Sequence, residues 1–480
     1  MSEKNFYITT TLPYVNADPH VGFAMELIRA DVIARAKQLQ GYEVFFNTGT
    51  DEHGSKLFKA AEQQGIPVKQ YVDGYAEKFR GLAGLLGISP EVHFIRTTDE
   101  HHEKAAQEFW KLCDKNGYIY KKTYQIKYCV GCELEKTDSE LVDGKCPIHP
   151  TYEIELIDEE NYFFKFSAFQ QPLLDFYAKN PTFVIPDFRF NEIRAFVERG
   201  LEDFSISRLK SKMPWGVPVP GDDTQVMYVW FDALVNYIST LGWPENIEQF
   251  EKFWVNGLPT QYCGKDNLRQ QSAMWQAMLM AAGLPNSKQI VINGFFTGEG
   301  GLKMSKSIGN VVNPYDVVEK FGLDALRYYV IGEVSMFEDS PCSMELIGLA
   351  YNAKLANGLG NLTSRVMKMA STNLEAAPEI PEMTIPKEYF EYLDRFEINK
   401  AVQMIWSEIT ALDSLIQEKQ PFKLVKTDAE AGKAIIRELV TRLYTVGRML
   451  NPILPETSKT IKELVKQNKM PDAPLYLRKD

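Results

Sequence analysis

The sequence predicts an α/β protein: a parallel sheet split by an inserted, metal-bearing unit and followed by a helical bundle. Three observations carry that expectation. The chain opens as strand, loop, helix and strand; a cysteine-bearing stretch then changes the texture of the middle; and after Phe321 almost every segment has helical spacing.

In chain order, Phe6 to Thr10 is a β-type run, and Leu12 to Gly22 is a loop carrying Pro, Asn, Asp and Gly. Ala24 to Leu39 is a helix and Glu43 to Asn47 a second strand. Ligands of such sheets bind beyond the carboxyl ends of the strands, which singles out the loop at 12–22. From Tyr118 to Met213 a cysteine knuckle, the aromatic patch Asn161 to Phe164 and mixed helices read as an insertion. Strand signals return at Gln225 to Trp230 and at Gln289 to Ile292, so the sheet is expected to resume there. Ser371 to Pro386, with Pro378, Pro381 and Pro386 among glutamates, is the clearest linker.

Length and composition narrow the class. At 480 residues the chain suits about three domains, taking roughly 100–200 residues for each. Hydrophobic residues at 45% against 24% charged supply enough apolar mass for large cores and exclude disorder for most of it. There is no apolar run of membrane-spanning length and no basic-then-apolar leader at the start, so no membrane partner and a cytoplasmic location are expected. The net charge of −11 argues against a generally basic nucleic-acid coat. The acid is uneven, however: residues 351–480 hold 19 Lys and Arg against 17 Asp and Glu.

Three of the six cysteines, Cys129, Cys132 and Cys146, fall within eighteen residues. That clustering fits a metal site in a reducing compartment better than a disulfide framework. Cys129-x2-Cys132-x13-Cys146-x2-His149 has the paired spacing of a closed tetrahedral zinc site, each pair gripping one edge of the metal. Four protein ligands leave no open position for water, so one structural Zn2+ is expected. Cys113, Cys263 and Cys342 read as ordinary buried thiols.

Two further stretches carry chemistry. Pro19-His20-Val21-Gly22 stands at a strand-to-helix junction, where free helix N–H groups attract anions and a glycine lets a ligand approach the backbone. Taken alone it could equally be a helix cap with an exposed imidazole. Gly300 to Ser307 pairs a glycine-hinged loop with two lysines three apart, Lys303 and Lys306, which can converge on a polyphosphate. Taken alone it could be a solvated basic turn.

With both stretches present, the chain resembles the class I aminoacyl-tRNA synthetases. Pro19 to Gly22 looks like their first signature, His-Ile-Gly-His, and Lys303-Met304-Ser305-Lys306-Ser307 matches the second letter for letter. Leu12 to Asn16, Gly49 to Gly54, Ser205 to Arg208 and Tyr228 to Ala233 resemble the methionyl branch, and the resemblance runs through essentially the whole chain. It implies a Rossmann-like catalytic domain in two halves (1–117 and 214–296) around a zinc-bearing connective insertion (118–213). A region holding the second signature (297–350) and a helical anticodon-binding domain (351–480) would follow.

The activity implied is methionine–tRNA ligation: ATP activates methionine as an adenylate, and the acyl group then passes to tRNA. ATP with Mg2+, L-methionine and methionine tRNA are the implied partners. The resemblance gives His20, Lys303 and Lys306 the catalytic role and adds Gly22, Gly264 and Asp266 to the nucleotide site. It places Leu12, Tyr14, Trp230, Ala233 and Tyr237 around the methionine side chain and Asp51 against its ammonium, with Arg208 holding that carboxylate. Asn361, Arg365 and Phe422 become anticodon readers. A monomer is expected rather than a dimer.

Without the resemblance, Trp230 and Tyr237, seven apart, would be one core-facing stripe, Asp51 a helix cap and Gly264 to Asp266 a strand-end turn. Asn361 and Arg365 would be an ordinary exposed helix face and Phe422 a core residue.

The chain departs from the family pattern in places. Phe23 replaces the last histidine of the first signature, Asn267 an apolar residue, Gln271 a histidine behind the methionine pocket and Phe422 a tryptophan. The alternatives are a cysteinyl-type enzyme, which needs an open metal site, and an RNA-binding factor that kept the fold and lost the activity.

Overall fold

The computed structural model describes residues 4–129, 134–136, 141–147, 150–298, 300, 311–381 and 385–479. Six parallel strands form the central sheet: β1 (Asn5–Thr10), β2 (Glu43–Thr50), β3 (His93–Arg96), β4 (Val184–Ile185), β5 (Leu258–Gly264) and β6 (Gln289–Asn293), in the spatial order β3-β2-β1-β5-β6-β4. The alternation of β1 explains its central place. Phe6 and Ile8 point into one core and Tyr7 into the other, so both faces of the strand are apolar and covered. Strand order reverses between β1 and β5, and the crevice beyond Thr10 and Gly264 is where such sheets take their ligands.

Helix α1 (Val21–Leu39) packs on the first core and is buried on nearly every side. Two arginines fasten the carboxyl-terminal helices to it. Arg29 donates to the carbonyls of Val330, Ser335 and Met336 at 2.8–3.0 Å. Arg327 pairs with Asp31 of α1 at 2.8 Å and donates to the carbonyls of Leu86, Pro452 and Ile453. One hydrophobic core is thereby continuous from α1 to the long helices Ile398–Lys419 and Ala429–Met449.

Two expectations need correction. The strand signal at Gln225 to Trp230 does not rejoin the parallel sheet. Asp222–Met227 is antiparallel to Pro218–Val219 and Ser207–Leu209, because the turn at Gly221 (φ +79°) closes a local hairpin, and Trp230 already lies in the short helix Val229–Ala233. After that hairpin the next strand of the parallel sheet is β5. Nor does the segment 118–213 stand wholly outside the sheet, since Val184–Ile185 is its edge strand beside β6. The rest of that segment is built on the hairpin of Ile119–Cys129 with Glu155–Phe164.

Candidate active site

Beyond β1 the loop turns across the end of β2 and is held there by backbone bonds. The Asp51 N–H donates to the Pro13 carbonyl at 2.9 Å, and the Val15 N–H donates to the Asp51 carbonyl at 3.2 Å. Tyr14 is thus set beside Asp51. Its hydroxyl passes so close to Gly54 that a Cβ there would stand 2.8 Å away, and Gly54 has φ +119°, so space and backbone both demand glycine. The loop ends at His20, the N-cap of α1. Its Nδ1 accepts the Gly22 N–H at 3.1 Å, which places the imidazole proton of the neutral ring on Nε2.

Two connected cavities occupy the crevice. The first, about 310 Å3, is bordered by His20, Gly22 and Glu26 of α1 and by Gly264, Asp266 and Phe295 across from them. The second, about 270 Å3, is bordered by Leu12, Tyr14, Asp51, Trp230, Ala233, Tyr237 and Gln271. Thr11, Pro13, Tyr14, Asp266 and Asn267 border both. The fold therefore gathers His20, Gly22, Gly264 and Asp266 around one space, and Asp51 with the five residues grouped with it, Leu12, Tyr14, Trp230, Ala233 and Tyr237, around the next.

Trp230 and Tyr237 are not one buried stripe. They belong to separate short helices, Val229–Ala233 and Asn236–Ser239, and Trp230 is 42% exposed while Tyr237 is 2%.

Asp51 is the most distinctive group. Its carboxylate is buried and Oδ1 has no hydrogen-bond partner. Burial, and then the nearby Asp232, push its protonation well above the carboxylate range, with His53 opposing them. Asp232 is itself fully buried, yet two histidines hold it ionised: His53 Nδ1 at 3.1 Å and His102 Nε2 at 3.6 Å. Burial disfavours the charged form of His53, but Asp232 outweighs it and raises that imidazole to about 10. A buried carboxylate with one oxygen left unbonded, facing a small cavity, is a site for a cationic ligand.

Arg208 does not hold Asp51, contrary to expectation. Its Nη1 donates to Ser205 Oγ and the Ser207 carbonyl at 2.8 and 2.7 Å, its plane lies 4.5 Å from the Tyr228 ring centre, and no ion pair joins it to Asp51 among the described residues. The other departures from the family pattern are local. Gln271 Nε2 donates to the Tyr237 hydroxyl at 2.5 Å while its Oε1 accepts from Gln261 at 2.6 Å, so this glutamine fixes the floor of the second cavity. Asn267 donates to Asp266 at 3.0 Å, and Phe23 packs edge-on against Phe79 at 5.3 Å.

Sequence reasoning missed Glu26. It lies 6% exposed on α1, accepts the Thr11 N–H at 2.7 Å and borders the first cavity. Burial, reinforced by the charge of Asp266 and opposed by the Thr11 bond, raises its carboxyl to about 8. The signal was a lone acid inside the apolar run Ala24 to Ile28.

Lys303, Lys306, Cys132 and His149 lie outside the described residues, as does the side chain of Cys129; Cys146 is buried. Cys113, Cys263 and Cys342 are buried as expected, and burial pushes their thiols up. In the helical region Arg365 and Phe422 border a cavity of about 560 Å3 together with Lys368 and Lys426, and Asn361 is exposed one turn before Arg365. Phe422 is 44% exposed, so it is no core residue.

The family described as tRNA synthetases class I (M) matches residues 6–156 and 150–367. The chain belongs to this class I methionyl-tRNA synthetase family. Within it, the methionine–tRNA ligase of Caldanaerobacter subterraneus is 39% identical, over 96% of this chain and 74% of its own length. That of Thermosynechococcus vestitus is 40% identical, over 95% of this chain and 89% of its own. Among solved structures, Mycobacterium tuberculosis methionyl-tRNA synthetase with methionyl-adenylate superposes with a TM-score of 0.86 at 36% identity, covering 97% of this chain and 94% of that one. No helix among the described residues is long and apolar enough to cross a membrane.

Proposed function

We propose that this chain is a methionine–tRNA ligase whose two connected cavities hold ATP and methionine side by side. The observation that carries the reading is the shared border of the cavities: a substrate in the second presents its carboxylate to a nucleotide in the first across Thr11, Pro13 and Tyr14. Asp51 receives the methionine ammonium. The apolar slot of Leu12, Trp230, Ala233 and Tyr237 takes the thioether, whose contacts with aromatic rings contribute roughly 0.3–1.5 kcal/mol each.

A methionine carboxylate oxygen attacks the α-phosphorus, the bond from that phosphorus to the bridging oxygen breaks, and pyrophosphate leaves with the electron pair. A terminal ribose hydroxyl of the tRNA then attacks the carbonyl carbon, its proton passes to water or phosphate, and AMP leaves. Neither step needs a covalent bond to the protein, so rate comes from placement and from donors facing developing charge. The Nε2–H of His20 donates to a phosphate oxygen, Asp266 accepts from the ribose, and Gly22 and Gly264 let the nucleotide lie on the backbone. Lys303 and Lys306 neutralise the departing pyrophosphate. Mg2+ bound with ATP would spread that charge further.

The donor set Cys129, Cys132, Cys146 and His149 suits one structural Zn2+, with soft thiolates and no fifth group. Arg365 and Phe422, with Asn361, read the anticodon by hydrogen bonds and stacking. Methionine-dependent ATP–pyrophosphate exchange, run across the twenty amino acids, tests the reading. Exchange with methionine far above the others is expected, and activation of cysteine in its place would overturn it.

A further inference from the structure

Behind the wall of the methionine cavity stand charged groups that the chemistry above does not use. Asp232 lies between Trp230 and Ala233, which border that cavity, and His53 follows Asp51 by two positions, yet neither Asp232 nor His53 borders either reaction cavity. Both are buried, and His53 Nδ1 meets Asp232 Oδ2 at 3.1 Å. The backbone N–H of the same histidine donates to the Asp51 carboxyl, whose Oδ1 stays unbonded. One residue therefore joins the carboxyl that receives the ammonium to a second carboxylate sunk behind it.

The other charges around the pair are accounted for. On the helix Glu100–Lys115, the partly exposed Glu103 reaches His53 Nε2 at 3.7 Å, and His102 turns its Nε2 to Asp232 at 3.6 Å while its Nδ1 bonds the Ser239 hydroxyl at 2.9 Å. Glu52 is taken up by Arg96 through both oxygens at 2.7 Å, and Arg96 also pairs with Asp73. Arg208 lies over the Tyr228 ring, and the Trp215 ring stands 5.6 Å from His53. Burial keeps the hydroxyls of Tyr14 and Tyr228, beside Asp51, protonated. Burial and the charge of Asp232 thus disfavour ionisation of Asp51, and the His53 imidazolium supports it. A protonated carboxyl offers an ammonium only a neutral acceptor, roughly half as strong as a charged one. We propose that the Asp232–His53 pair is a positioning unit that fixes the charge of Asp51, so that the methionine ammonium meets a carboxylate rather than a carboxylic acid. The proposal rests on the ligase reading above and deepens it.

The test is the pH profile of kcat/KM for methionine in pyrophosphate exchange at saturating ATP, which reports groups of the free enzyme. His53→Asn puts an amide nitrogen where Nδ1 stood, so the bond to Asp232 is kept and the charge is lost. Its acid limb should move up by about one pH unit or more, a loss of about tenfold at a fixed pH on the limb. Asp232→Asn removes the repelling charge instead, and its limb should move down; it carries the test with the opposite sign if His53→Asn does not fold. The double variant should return toward wild type. Two inhibitors that share the thioether separate charge from packing. Methioninol, which keeps the ammonium, should bind His53→Asn about tenfold more weakly at that pH, whereas the methionine analogue without its amino group should bind wild type and variant alike. Added to Asp51→Asn, His53→Asn should cost no more than about twofold further, because no charge is left to fix. Limbs that stay in place, or that move the same way in both single variants, overturn the role of the pair alone, as does equal weakening of the two inhibitors. Absence of methionine-dependent exchange in wild type overturns the ligase reading and this inference with it.

Discussion

On the floor of the second cavity, in the crevice between β1 and β5, the polar side chains of Tyr7, Tyr237, Gln261 and Gln271 are buried and already bonded. The Tyr237 hydroxyl accepts from Gln271, Gln271 accepts from Gln261, and the Tyr237 carbonyl accepts from the Tyr7 hydroxyl at 2.9 Å. In the cavity of the helical region the arrangement is reversed: Phe422 stands in water, and Arg365 is held by a single ion pair with Asp413. The contrast follows from the ligands proposed for each. A small amino acid brings few contacts of its own and has to meet a rigid, desolvated site, whereas splayed bases bring large flat faces that recover stacking on any exposed ring.

The largest break of that contrast is expected at Asp51. Asp51→Asn removes the counter-charge of the ammonium inside a low-dielectric cavity, so kcat/KM for methionine in pyrophosphate exchange should fall at least 100-fold, the effect of about 3 kcal/mol. The same change should raise the melting temperature, because the fold no longer buries a carboxylate with an unbonded oxygen beside Asp232. An unchanged kcat/KM would remove Asp51 from methionine binding, and a lower melting temperature would mean that its charge is already compensated in the free protein.

Glu26 gives the next effect, read against pH. Its carboxyl is raised to about 8 when folded, so between the unfolded value near 4.5 and about 8 the native state holds a proton that the unfolded chain has lost. The stability that this proton supplies is complete below about 4.5 and is lost as pH rises through 8, at up to about 1.4 kcal/mol per pH unit. Glu26→Gln cannot lose the proton. Denaturant midpoints measured at pH 5 and pH 8 should therefore show the variant gaining on wild type by a few kcal/mol, whereas a constant difference would mean that Glu26 is ionised at both.

Tyr237→Phe should cost less, about 1–2 kcal/mol, by leaving the buried Gln271 N–H without its acceptor. Methionine KM should rise while ATP KM holds. If ATP KM rises equally, the two cavities are not separate in function.

The parts of this architecture legible in the sequence are those fixed by neighbours in the chain. β1, the loop after it and α1 announce themselves because strand alternation, turn residues and a helix cap fall within forty residues. Asp51 and Tyr237 could be grouped only by resemblance, since they meet across 186 positions of sequence at strand and helix ends that no local pattern links. Val184–Ile185 is too short to show any period, and Asp222–Met227 carries a true strand signal that a nearby turn spends on a hairpin. Glu26 escaped because α1 is buried on nearly every side, which erases the amphipathic stripe against which a buried acid would stand out.

Phe422 offers the mildest test and the one that isolates the helical region. The ring is 44% exposed, so Phe422→Ala removes little buried area and should shift the melting temperature by no more than a degree or two. What it removes is a stacking face, with a cost at the low end of the roughly 1–3 kcal/mol per base seen for such platforms. KM for tRNA in aminoacylation should therefore rise about fivefold, with exchange untouched because no tRNA takes part in it. Phe422→Trp enlarges the face at the same exposed position and should lower that KM. Were Phe422→Ala to leave tRNA KM unchanged while Arg365→Ala raised it, recognition in this cavity would run through the guanidinium alone, and the exposed ring would have no share in reading RNA.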